Sequence, residues 1–248
     1  MSTSTVTPST LPRQRAHPLK SGSTKETALI NYIDKQLLKV NRRHAKKFSS
    51  AIDEQAEPEN KDERGYESFK DVVKDIEPII DVIWVSGTPS LQIPYFISLA
   101  GLVNTYLPDY PFSPKSIFRL LKKLDIIFAS LLLGEDVESG APLSGFEGQR
   151  QVVSMTEKVR IKSIAETSRL VVVEARDRGD DETVKGDEDE DETDLDGGAN
   201  DDDDDDFGTE DRYLEEETPG RWEMEAARIY ERTIQILGDE LGKGELIS

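Results

Sequence analysis

Cysteine is absent from this 248-residue chain, and histidine occurs only twice, as His17 and His44. Without cysteine there is no disulfide framework, no thiolate zinc site and no cysteine nucleophile. Two isolated histidines argue against a Ser-His-Asp triad or a histidine metal set. A GxxxxGK[ST] phosphate loop and a GxSxG nucleophile elbow are missing as well. Carboxylates are plentiful, yet they fall on solvated stretches where nothing raises a pKa toward acid-base work. The expectation is a protein that is not an enzyme and that takes no cofactor or metal.

Long apolar runs are equally scarce. No apolar signal-peptide core lies near the N-terminus. The nearest approach to a membrane span is Val82–Pro108, 27 residues without a charge. Ser86, Gly87, Pro89, Pro94, Asn104 and Thr105 make it too polar and too broken for lipid, so it reads as a buried helical hairpin. No membrane partner is expected.

What the chain has in excess is acid, and in one place. The formal charge is −20, from 51 acids and 31 bases. Residues 177–217 hold 23 of the acids and three of the bases, which accounts for the whole net charge; the other residues hold 28 of each. A stretch such as GDEDEDETDLDGGANDDDDDDFGTED repels itself and has little apolar surface to bury, so it is expected to be a disordered insert. Its six consecutive aspartates, Asp201, Asp202, Asp203, Asp204, Asp205 and Asp206, are candidate docking residues for basic partners. They lack the turn glycine and fixed geometry of a calcium loop. Residues 1–22 are rich in Ser, Thr and Pro, contain no acid and read as a flexible basic arm. Thr7, before Pro8, is a candidate phosphosite there. Pro8, Pro12 and Pro18 oppose the amphipathic helix that a mitochondrial presequence would need.

Between arm and insert, residues 23–176 read as an all-α helical bundle domain, and 218–242 as a C-terminal amphipathic helix docking on the bundle or on a partner. The fold expectation is a bundle of about five helices with this last helix returning after the insert. The clearest helix spans Ser113 to Gly134. Ser113 is a candidate N-cap, Pro114 suits the first helical position, and Gly134 supplies a left-handed stop. Ile117, Leu120, Leu121, Leu124, Ile127, Phe128 and Leu131 recur at helical spacing, with Arg119, Lys122, Lys123 and Asp125 off the stripe. Ser23 with Glu26 marks the start of a first helix whose seam is Ile30, Ile33, Leu37, Val40 and His44. A second helix over 66–85 carries Phe69, Val72, Val73, Ile76, Ile80 and Ile83 on one face, with a kink expected from Pro78. A third ends near Leu107. Ser154 with Glu157 opens a helix with stripe Ile161, Ile164, Ser168, Val171 and Ala175; the β-branched residues clustered in the Leu170–Val173 run leave a short strand as the alternative. Thr218-Pro219 then opens the last helix, with Trp222, Ala226, Ile229, Tyr230, Thr233, Leu237 and Leu241 on one face.

Two further sets of residues are candidates for function. KVNRRHAKK near the end of the first helix places Lys39, Arg42, Arg43, Lys46 and Lys47 in nine residues. That is a nuclear-import or phosphate-contacting pattern, although a cationic last turn also complements the helix dipole. Trp222, Ile229, Tyr230 and Leu237 are candidate partner anchors, in cis or in trans. Tyr95, Phe96, Tyr106, Tyr110 and Phe112 read as core. Together these features point to a non-catalytic nuclear interaction subunit or adaptor in chromatin or nucleic-acid transactions. It would have protein partners in a complex, with nucleic acid or histones as further candidates. The alternative is an acidic chaperone for histones or other basic proteins. Cytoplasmic residence is the second choice of location, and an organellar or enzymatic helical protein is disfavoured.

Overall fold

The structure, a computed structural model, describes residues 10–49, 64–147, 152–179 and 221–242. All six expected helical segments are present, and the last is divided in two. The helices are α1 (Thr24–Ser49), α2 (Phe69–Val85), α3 (Pro89–Tyr106), α4 (Pro114–Leu133), α5 (Met155–Gly179), α6 (Arg221–Ala227) and α7 (Glu231–Gly242). Among the described residues there is no strand, only an isolated bridge between Glu135 and Pro142. The Leu170–Val173 run is helical. No helix among the described residues is long and apolar enough to cross a membrane.

The sequence stripes set the packing. Phe69, Val72, Val73, Ile76, Ile80 and Ile83 are all buried, which lets α2 sit between α1, α3 and α4. On α4 the stripe residues Ile117, Leu120, Leu121, Leu124, Ile127, Phe128 and Leu131 are buried, as are Ile126 and Ala129. An apolar surface so broad needs neighbours on several sides, and α4 packs on α2, α3 and α7. Helix α5 covers α3. Its buried line is Ile161, Ala165, Ser168, Val172 and Ala175, with Ile164 and Val171 half-buried at the border.

Helix ends follow the expectations in part. Gly134 ends α4 in the left-handed region at φ 77°. Ser154 and Glu157 cap each other reciprocally, each backbone N–H donating to the other's side-chain oxygen at 2.8 and 3.3 Å. At α1 the box is half-made: Glu26 N–H donates to Ser23 Oγ, while the Glu26 carboxylate takes the N–H of Gly22. Ser113 departs from its expected role: its hydroxyl makes no cap hydrogen bond, and only its carbonyl accepts, from Ile117 N–H. Helix α2 starts three residues later than the 66–85 reading, because Ser68 Oγ accepts from Asp71 N–H and sets the boundary. It continues through Pro78 as one element.

Two segment boundaries also move. Residues 10–22, read as part of the flexible arm, are seated on the fold. Leu11 is buried, Trp84 Nε1–H donates to the Pro12 carbonyl at 2.9 Å, and Arg15 N–H donates to Val85 O. Leu19 N–H donates to Thr88 Oγ1. The α2–α3 turn thus offers more unpaired polar groups than the hairpin can satisfy internally, and the arm supplies the partners. Helix α5 runs to Gly179, three residues into the segment read as acidic insert, and Arg178 there donates to Pro108 O. Residues 1–9, with Thr7, and the greater part of the acidic insert lie outside the described residues.

Candidate docking site for the C-terminal helices

A uniform helix over 218–242 would put Ile229 and Tyr230 mid-helix. The chain instead breaks there: Tyr230 takes φ 53°, uncommon for a residue with a side chain, and separates α6 from α7. The cause lies on two other helices. Arg169, on α5, donates through Nε to Ile229 O at 2.8 Å and through Nη2 to Ala227 O at 2.9 Å. A fork of rigid donors thereby satisfies carbonyls that the end of α6 leaves open.

Asp125, on α4, does the converse for α7. Its Oδ1 accepts the backbone N–H of Thr233 at 3.0 Å and the Thr233 hydroxyl at 2.7 Å. A carboxylate from a remote helix takes the place of a local N-cap, where the N-terminal dipole of α7 favours negative charge. Asp125 is nonetheless buried, and desolvation holds its carboxyl above the ordinary aspartate value, opposed by the bonds from Thr233 and by nearby Arg232. Around these links Ile229, Tyr230, Thr233 and Leu237 are buried, and the Tyr230 ring lies 6.0 Å from that of Phe128 on α4. Burial pushes the Tyr230 phenol well above its usual range.

Three of the four expected partner anchors, Ile229, Tyr230 and Leu237, are therefore in the chain's own core. Trp222 falls in α6, and its side chain lies outside the described residues. The sequence spacing leaves Asp125 off the α4 stripe, yet the structure buries it. The signal that could have found it is the uncharged helix around it: a lone acid inside Leu124–Leu133 needs a buried donor.

The basic patch of α1 divides into two sets. Arg43 faces inward, with Nη1 2.7 Å from Asp75 Oδ2, Nε on Arg64 O and its guanidinium carbon 4.2 Å above the Tyr66 ring. Tyr66 donates to the same Asp75 oxygen at 2.7 Å, and burial raises its phenol. Lys47 lies 3.8 Å above the Tyr110 ring and donates to Asp109 O; desolvation lowers its pKa, opposed by Asp109. Between them His44 stacks on Tyr106 at 3.5 Å, and its Nε2 is 2.8 Å from Asp109 Oδ2. Arg42 and Lys46 are exposed and Lys39 half-buried; with exposed Lys35 they recur at spacings of four, three and four, one outward stripe. The aspartates 201–206 lie outside the described residues.

Residues 65–238 match the family described as Subunit 11 of the general transcription factor TFIIH (TFB6), a span from just before α2 into α7. The chain is also similar to an uncharacterised protein of Schizosaccharomyces pombe, 26% identical over 151 residues, covering 58% of this chain and 76% of that protein. No solved structure matches.

Proposed function

The chain belongs to the TFIIH Subunit 11 family, and on that basis we propose that it is a nuclear, non-catalytic subunit of a multiprotein transcription complex. The observation that carries this reading is the extent of the match, which takes in α2 through most of α7 and so includes both Asp125 and its partner Thr233. Its work is protein–protein interaction: a rigid helical body with one basic edge on α1 and a strongly acidic segment before α6. The finer reading is a role in nucleic-acid or chromatin transactions through the basic patch of α1, whose outward stripe is Lys35, Lys39, Arg42 and Lys46. A second reading, an acidic chaperone for histones or similar basic proteins, is favoured by the 23 acids in residues 177–217. Affinity purification of the tagged full chain from nuclear extract at low and high salt, with mass spectrometry, tests the proposal. Co-purification of the other complex subunits at both salts is expected. Recovery of histones alone, lost at high salt, would favour the chaperone reading and overturn the first.

A further inference from the structure

Because residues 10–22 are seated on the fold, the basic edge does not end where α1 begins. Of the 28 bases and 28 acids outside residues 177–217, residues 10–49 hold ten bases and two acids. Glu26 is buried and accepts from Gly22 N–H, and Asp34 accepts from the Tyr95 hydroxyl at 2.7 Å. This stretch therefore presents a strongly positive surface on a body that is elsewhere acidic.

Four polar links hold residues 10–22 to the α2–α3 turn and to the loop after α4. Trp84 Nε1–H donates to Pro12 O, Arg15 N–H to Val85 O, Leu19 N–H to Thr88 Oγ1, and Ser144 N–H to Gln14 Oε1. Arg13, Arg15 and Lys20 are exposed along this strap. The chain then passes straight into α1: Gly22 turns it at φ 73°, and Ser23 N–H donates to Lys20 O. On α1 the exposed cations are Lys25, Lys35, Arg42 and Lys46. From Lys25 to Lys46 the helix rises about 32 Å, close to one turn of B-form duplex.

The residues between the cations decide among polyanions. Ala28, Asn31 and Ala45 are exposed there, and Leu38 is the one large exposed aliphatic of α1. An acidic peptide binds through apolar anchors in a groove, which a convex helix with one exposed leucine does not offer. A single strand binds by stacking its bases on aromatic side chains. The two exposed aromatics of α1, Tyr32 and Phe48, stand about 160° apart around the helix and form no such platform.

Resting on the nucleic-acid reading above, we infer that the strap and α1 form one phosphate-binding edge for duplex DNA, with Arg13, Arg15 and Lys20 as site residues beside those of α1. The contacts are to the backbone, so the edge positions a duplex without reading its sequence. The 23 acids of residues 177–217 repel any polyanion, so binding by the full chain is weak and the differences between variants are what count.

The experiment is an anisotropy titration of the full chain against a fluorescent duplex of about 20 base pairs, two helical turns, at several salt concentrations. Wild-type affinity should fall with salt and differ less than about twofold between unrelated sequences. The triple variant Arg13→Ala, Arg15→Ala, Lys20→Ala should bind about tenfold more weakly at low salt, with a log–log salt slope shallower by about two to three. Lys35→Ala with Arg42→Ala should flatten the slope by about two. A control triple, Lys115→Ala, Lys122→Ala, Arg160→Ala, removes as much charge from exposed positions on α4 and α5 and should change little. All these positions are exposed, so thermal melts should match the wild type. Should the strap triple melt lower, glutamine at the same three positions replaces alanine.

Loss of binding in the α1 pair with full binding in the strap triple would overturn the shared edge and leave the nucleic-acid reading standing. Equal losses in the strap triple and the control triple would reduce the effect to net charge and overturn it as well. Tighter binding to a single strand of the same length would overturn the duplex assignment. Absence of wild-type binding at the lowest salt would sink the nucleic-acid reading itself, and the edge with it.

Discussion

Thr233 donates both its backbone N–H and its hydroxyl to a single oxygen of Asp125, at 3.0 and 2.7 Å, across 108 positions of sequence. This pair joins the middle of α4 to the first turn of α7. It explains why a helical reading of the last segment as one continuous rod fails: the chain turns at Tyr230 so that a first turn with open N–H groups can face Asp125.

Asp125→Ala should destabilise by about 1–3 kcal/mol, because both Thr233 donors lose their acceptor in a buried site. Asp125→Asn keeps an acceptor oxygen and removes the buried charge, so it should cost less. The two variants also differ in pH dependence. Burial raises the native pKa of Asp125 above its unfolded value. The wild type therefore holds this contribution at low pH and loses it as pH rises through the native pKa. Relative to the wild type, Asp125→Asn should gain stability from about pH 4 toward neutrality and then level off. Urea melts at several pH values check both points, and a flat difference would contradict the second.

Leu124 is fully buried on α4, whereas Lys122 points to solvent. Leu124→Ala should cost about 2–5 kcal/mol, and Lys122→Ala within about 0.5 kcal/mol. Denaturant melts of the two variants test the facing of α4 directly.

The basic patch should separate by the same kind of measurement. Arg43→Ala breaks a half-buried pair and uncovers Asp75 and Tyr66, so it should lower the melting temperature. Arg42→Ala should not. In an electrophoretic shift with duplex DNA the order should reverse: binding by α1 is weakened by Arg42→Ala, a variant whose melt is unchanged.

Gly134 holds φ 77°, and a Cβ there would lie 3.1 Å from the Phe146 ring. Gly134→Ala should therefore cost about 1 kcal/mol or more, through backbone strain and displacement of Phe146. Thermal melts read this at once.

Much of the bundle was legible in the sequence because the apolar spacing of α2 and α4 has no rival interpretation. Every apolar residue assigned to those two stripes is buried. What was not legible depends on partners distant in sequence. Trp84 and Pro12 meet across 72 positions, which turns an arm lacking periodicity into a seated strap. Arg43 and Lys47 look like surface cations until Asp75, Tyr66, Asp109 and Tyr110 come round to meet them. Asp125 is the sharpest case: its charge argued for solvent, and only Thr233, far downstream, makes burial tolerable.

The central claim is that the C-terminal helices are held in cis through Asp125 and Thr233. A double-mutant cycle tests it most directly, with urea melts of the full chain, Asp125→Ala, Thr233→Ala and the combination. The account predicts that the second change costs little once the first is made, a coupling of about 1 kcal/mol or more between two residues joined in one buried network. Losses that simply add, to within about 0.5 kcal/mol, would contradict it.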